Sequence, residues 1–170
     1  RGKKSIRIER KKESAVSDQS YRQVLSDIPG LQVSEVPNRS FQSLNYRGLG
    51  DPHESQNIQT LEDGIPISAD PYGYPAVYYT PPMPVVEAIE FFQGGAGLLY
   101  GPHPSGAIHY QTRRAKLTDP LGFRTQNMLG AFQYFLTSNE IQTPFQVGGF
   151  KSAAKIGYTR RQFQGFRPNQ

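Results

Sequence analysis

The chain has 170 residues, enough for one domain with a sizeable core or one domain with an extension. It carries 19 Lys and Arg against 14 Asp and Glu, no cysteine, and 17 glycines with 14 prolines. These counts exclude disulfide scaffolds, thiolate metal sites and cysteine nucleophiles, and they suit turns and short strands better than a helix bundle.

The charge is unevenly placed. Residues 1–13 hold seven basic and two acidic side chains, residues 14–112 three and ten, and residues 113–170 nine and two. An acidic middle between two basic ends argues against a nucleic-acid surface spread over the fold, so no nucleic-acid partner is expected. No run reaches the roughly 18 consecutive apolar residues of a membrane-spanning helix. The charged start, Arg1 to Lys12, lacks the apolar stretch of a signal peptide, so either no leader exists or it lies upstream of these residues.

Lys4 to Glu9 alternates, with Ile6 and Ile8 on one face, and reads as a short strand. Tyr21, Val24, Leu25 and Ile28 recur at helical spacing behind Ser17 and Asp18, and Pro29-Gly30 stops the run. Leu31 to Val36 reads as a strand, followed by a polar, turn-rich stretch over 38–57. Ile58 to Ile67 reads as a hairpin turned at Asp63-Gly64. Residues 68–84 hold five prolines and four tyrosines and read as a long ordered loop. Ile89 to Gln93 is a strand, Gly94 to Gly97 a glycine corner, and Ile108 to Thr112 another strand. The character changes near 113–119. Beyond it residues 123–137 are strand-like, and residues 150–161 alternate cleanly between Phe150, Ala154, Ile156, Tyr158 and Lys151, Lys155, Thr159, Arg161. That alternation fits a half-buried strand or the wall of a transmembrane barrel.

Catalytic patterns are missing. His53, His103 and His109 have no metal-ligand spacing and read as surface histidines. Glu87 and Glu90 lack the partners of an acid–base pair. The glycines from 94 to 106 match neither nucleotide-binding motif, and there is no nucleophile elbow. No enzyme activity, resident metal or cofactor is expected.

The ordered signals point elsewhere. Ile28-Pro29-Gly30-Leu31, Tyr46-Arg47-Gly48-Leu49 and Leu61-Glu62-Asp63-Gly64-Ile65-Pro66 are followed by Val86 to Gly94, Leu98-Leu99-Tyr100-Gly101-Pro102 and Ser105-Gly106-Ala107-Ile108. Across about residues 20–114 this order and spacing resembles the plug domain of TonB-dependent outer-membrane receptors. Within that family, Asp63 to Ile67 followed by Pro71-Tyr72-Gly73 is most similar to the ferric-dicitrate branch. Phe123 to Ser138 and Lys151 to Arg161 are similar to the first two barrel strands that follow such a plug.

The resemblance implies a mixed α/β (α+β) plug followed by the first antiparallel strands of a transmembrane β-barrel. The expected layout is a basic lead-in at 1–19, the plug at 20–114 and about two barrel strands at 115–170. Since each spanning strand takes roughly 9–11 residues, the chain is expected to be part of a longer one. The implied function is binding of a ferric chelate, such as ferric citrate or a siderophore, and its gated uptake through the outer membrane of a Gram-negative bacterium. The implied partners are the TonB energy-coupling protein, the chelate, outer-membrane lipid and the remainder of the barrel. A free-standing periplasmic plug-like binding module is the alternative, and the amphipathic strands after 115 argue against it.

Loops 49–57, 68–82 and 94–97 are the implied ligand-facing segments, with His53, Tyr72, Tyr74, Tyr78 and Gln93 as candidate contacts. Arg47, Gly48, Asp63, Gly64, Glu87, Glu90, Gly94, Tyr100 and Gly101 are implied to be structural or gating residues. The chain departs from the family pattern at Ala88, Gln93, Ala107 and His109. With Gln93 in place of a basic residue, Arg47 is left as a single buried guanidinium in need of a carboxylate. Ser5 to Glu9 stands where a TonB box would end but is too basic to match one.

Overall fold

The computed structural model describes residues 5–9, 21–35, 42–49, 55, 57–67, 79–118, 120–131 and 133–162. The chain divides into two units, residues 1–112 and 113–170.

The first unit is built on a five-stranded sheet in the order β1-β6-β7-β4-β5. Its strands are β1 (Ser5–Glu9), β4 (Ile58–Glu62), β5 (Ile65–Pro66), β6 (Val86–Gln93) and β7 (Gly106–Thr112). Strands β4 and β7 run parallel and every other pair is antiparallel. A separate hairpin joins β2 (Leu31–Glu35) to β3 (Gln42–Tyr46). A short helix, α1 (Tyr21–Leu25), precedes it.

Strand periodicity gives this sheet two apolar faces, and each is covered. Ile58, Ile89, Phe91, Ile108 and Tyr110 pack with Tyr21, Leu25, Ile28, Leu31, Leu44 and Tyr46 from the helix and hairpin. On the other face Leu61, Phe92 and Ala107 pack with Ala96 and Tyr100. Aromatic edges reinforce the first layer: Tyr21 meets Tyr110 at 5.3 Å and Tyr46 meets Phe91 at 5.1 Å between ring centroids.

Several expectations need correction. The helix ends at Leu25, because Pro29 disfavours helical backbone at Ile28 and the Ser26 hydroxyl donates to the Gln23 carbonyl. Ile28 remains fully buried in the turn that follows. Ile65 is 68% exposed and lies outside the core, because β5 is a two-residue edge strand. Strand β6 starts earlier than expected, at Val86, and bulges between Val86 and Ala88. The glycine corner is a 3-10 helix spanning Gly94–Leu99.

Strand β3 was hidden by its polarity: all five residues are buried although three are Gln, Ser and Asn. One edge pairs with β2. At the other, the Leu44 and Gln42 amides donate to the Ser55 and Thr80 hydroxyls at 2.7 and 3.2 Å. Side chains there take the place of a neighbouring strand.

Tyr110 is wholly buried, and burial pushes its phenol well above the ordinary range. Above roughly pH 10 the unfolded chain loses this proton while the folded one keeps it. Stability therefore falls as pH rises through that window. Tyr110→Phe is expected to flatten part of this alkaline slope in urea unfolding of the first unit; an unchanged slope would exclude Tyr110 as its source.

The second unit is a three-stranded antiparallel sheet of β8 (Gly122–Gly130), β9 (Tyr134–Val147) and β10 (Phe150–Gln162), in the order β10-β9-β8. Three strands stand where about two were expected. The turn between Gly130 and Tyr134 carries no Asn-Gly or Gly-Gly signal, and Gln133 takes the left-handed conformation at φ 56° that glycine usually supplies. The β9–β10 turn uses Gly148 and Gly149 at φ 55° and 86°.

Register places Phe123, Ile141 and Ile156 in one row, with Phe135, Phe145, Val147, Phe150 and Tyr158 on the same face. Leu136, Ser138 and Glu140 are buried on the opposite face. An apolar exposed face and a polar buried one is the inverse of a water-soluble sheet and the pattern of a barrel wall in lipid.

Candidate functional site

Three candidate loops leave the five-stranded sheet at one end. Because β4 runs away from Ile58 and β5 runs back, Asn57 and Ile67 flank the same end as Gln93 and Gly94. Hydrogen bonds tie these points together. The Ser105 amide donates to the Asn57 carbonyl at 3.0 Å, and the Gly94 amide donates to the Ser105 carbonyl at 3.3 Å. The Asn57 amide side chain reaches the Leu49 carbonyl at 3.1 Å, and the Ile67 amide reaches the Thr60 carbonyl at 2.9 Å. The described flanks of these loops, Leu49, Asn57, Ile67 and Gly94, are thus held by hydrogen bonds at this end of the sheet.

Of the candidate contacts, Gln93 is half-buried at the end of β6. His53, Tyr72, Tyr74 and Tyr78 lie outside the described residues. The returning end of the tyrosine-rich loop is firmly seated: Thr80 and Pro81 are buried, and the Tyr21 hydroxyl donates to the Pro81 carbonyl. Tyr79 is 43% exposed, and its phenol is raised by partial burial and by the Glu62 carboxylate. At neutral pH it is a hydrogen-bond donor.

Gly94 adopts φ 51° where β6 turns into the 3-10 helix. Tyr100 stacks obliquely on Phe92 at 4.7 Å. Gly101 passes close to the Gln59 and His103 side chains. His103 is buried, contrary to the expected surface position, because the Gly101 to Gly106 segment folds back over β4 through the Ser105–Asn57 bond; His109 is half-buried on β7.

The other gating candidates lie elsewhere. Asp63 and Gly64 turn the β4–β5 hairpin at φ 48° and 88°, at the opposite end of the sheet. Asp63 is more than a turn residue: Oδ1 accepts the Thr112 amide at 2.8 Å and Oδ2 accepts the Thr112 hydroxyl. Glu87 is exposed in the β6 bulge, and Glu90 is half-buried and accepts from Gln111 at 3.5 Å.

Arg47 was expected to face carboxylates of the barrel, most of which lies outside this chain. It is exposed, at φ 55° beside Gly48 at φ 69°, and its guanidinium lies 5.0 Å over the Tyr46 ring. The tight turn after β3 leaves the side chain exposed within this unit, where the ring face supplies a cation–π contact.

Among the described residues no group of three or more acidic, histidine or cysteine side chains could hold a metal. Among the described residues no helix is long and apolar enough to cross a membrane, which leaves strands unaddressed.

A family model described as TonB-dependent Receptor Plug Domain matches residues 4–108. Among solved structures, the chain is similar to the ferric yersiniabactin uptake receptor FyuA from Yersinia pestis, at 18% identity and TM-score 0.62, over 90% of this chain and 23% of that one. It is similar to the siderophore receptor PirA from Pseudomonas aeruginosa, at 19% and 0.52, over 94% and 29%. It is also similar to the copper transporter OprC, at 18% and 0.55, over 81% and 21%. The chain therefore spans under a third of the length of each of these proteins.

Proposed function

Because the chain belongs to the TonB-dependent receptor plug-domain family, a family of outer-membrane transporters of Gram-negative bacteria, we propose that it is the plug and first barrel wall of a receptor that binds a ferric chelate and gates its uptake into the periplasm. The observation carrying this reading is the sequence of architectures. A plug fold is followed at once by antiparallel strands whose exposed face is apolar. A free-standing periplasmic module would gain nothing from such a face.

On this reading the end of the sheet bearing Gln93 and Gly94 is the outward floor of the site, and the end bearing Asp63 and Thr112 faces the periplasm. His53, Tyr72, Tyr74 and Tyr78 supply ligand contacts from the loops, with hydroxyls donating to chelate oxygens while rings exclude water. The prolines of the loop reduce the ordering cost of binding. The resemblance of Asp63 to Gly73 to the ferric-dicitrate branch favours a small citrate-like chelate. TonB is the energy-coupling partner, acting from the N-terminal side.

Uptake of radiolabelled iron by iron-starved cells carrying the whole receptor tests this. Ferric citrate and a catecholate and a hydroxamate siderophore are the probes. The Tyr72→Ala/Tyr74→Ala receptor is expected to bind the transported chelate about tenfold more weakly, equivalent to roughly 1.4 kcal/mol, with membrane insertion unchanged. Unchanged affinity removes this loop from the site, and uptake of none of the three chelates contradicts the transport reading.

A further inference from the structure

Residues 113–170 contain nine basic side chains and only two acidic ones, Asp119 and Glu140. Glu140 is buried in the middle of β9. A buried carboxylate in a basic segment needs a role, because its desolvation is costly unless it is paired.

Glu140 is paired twice. Its Oε2 accepts from the Arg113 guanidinium, and its Oε1 lies 3.9 Å from the Lys155 ammonium on β10. Lys155 in turn donates to the Arg113 backbone carbonyl. The three residues therefore close a ring around Arg113, held through its side chain by β9 and through its main chain by β10. Hydrogen bonds with a charged partner, such as Arg113 to Glu140 and Lys155 to the Arg113 carbonyl, are stronger than neutral ones. Beyond it Ala115 is half-buried, and the chain becomes exposed at Lys116 and Leu117.

Arg113 is also the first residue after Thr112, which Asp63 holds within the plug. We propose that Glu140, with Lys155, is a positioning residue that anchors Arg113 to the barrel wall, making this residue the fixed point from which the plug is tethered. The inference rests on the plug-and-wall reading above. Its consequence is mechanical. Force applied to the N-terminal side of the plug is resisted at Arg113, and the linker downstream bears none of it.

The test uses the full-length receptor refolded in detergent, with a nitroxide label on Ala115→Cys. Label mobility is read by electron paramagnetic resonance, and heat-modifiable migration reports barrel assembly separately. The unsubstituted receptor is expected to show an immobilised label. Glu140→Gln, which keeps the shape and removes the charge, is expected to raise mobility at least threefold, and Arg113→Met equally. The double variant should add nothing to either single one, because Glu140 acts through Arg113. Glu140→Ala serves as a second variant, and Glu140→Gln carries the test if it fails to assemble. A label as mobile in the unsubstituted receptor as in Glu140→Gln overturns the anchor, as does an additive double variant. Loss of heat-modifiable migration in the unsubstituted receptor overturns the wall reading instead, which is a separate failure.

Discussion

Replacing Gly106 with alanine is expected to disrupt the junction of β6 and β7. A Cβ at Gly106 would lie 2.1 Å from the Phe92 carbonyl oxygen, and the residue sits at φ 119°. Gly97 packs against it from the other side, where a Cβ would lie 2.4 Å from the Gly106 Cα and 2.7 Å from the Ala107 nitrogen. All these neighbours are backbone, so no side chain can swing away. Overpacking and an incompatible φ together cost about 3 kcal/mol or more, a large share of a typical domain's 5–15 kcal/mol, roughly. Hydrogen exchange of β6 and β7 amides in the intact receptor is expected to quicken about 100-fold, since each 1.4 kcal/mol or so is tenfold. Gly95→Ala is the control: its Cβ would meet nothing within 4 Å, and exchange should stay near that of the unsubstituted protein. Equal exchange in the two variants would show that the close approach is not a constraint. The contact also matters to the site, because Gly94 and the 3-10 helix that follows set one candidate loop.

Ile156→Arg carries the second large effect. Ile156 is 73% exposed and stands opposite Ile141, in line with Phe123 across three strands. In lipid, an arginine on this face costs about 2–4 kcal/mol at mid-membrane depth. Assembled receptor in outer-membrane fractions is expected to fall severalfold, and detergent refolding to lose a comparable share. Gln146→Arg lies on the opposite face of the same wall and should leave both measurements nearly unchanged. Were Ile156→Arg neutral as well, the exposed apolar face would need another explanation than lipid.

The plug was legible wherever side-chain period and turn chemistry agreed. The Asp63-Gly64 hairpin, the strands around Ile58, Ile89 and Ile108, and the apolar set of α1 follow from local pattern. Strand β3 was not legible, because what buries Gln42, Ser43 and Asn45 is pairing with β2 and with the distant hydroxyls of Ser55 and Thr80. The third barrel strand was missed at Gln133, whose left-handed backbone is imposed by the hairpin and not signalled by its residue type.

The site divides in the same way. Family spacing suggested the loops, and sheet topology explains why the described residues flanking them, Asn57, Ile67 and Gly94, lie at one end. It could not reveal that Arg47 is exposed within its unit or that His103 is buried, since both depend on where the chain folds back. Glu140 carried one signal that was available, its isolation as an acid within a basic strand pair. Its partners lie 27 residues before it and on the next strand, which no local pattern indicates.

Residues 122–162 are expected to form a lipid-facing barrel wall that follows the plug in sequence. Cysteine substitution along β8 to β10 tests it most directly, since this chain has no cysteine of its own. In the otherwise cysteine-free intact receptor in outer membranes, each site is labelled with a fluorophore and exposed to a lipid-soluble or a water-soluble quencher. Sites 123, 141, 145 and 156 are expected to respond to the lipid-soluble quencher alone, while sites 142, 146 and 151 do not, giving a two-residue alternation along each strand. Uniform response along the strands, or strongest quenching of the apolar sites by the water-soluble agent, would contradict the account.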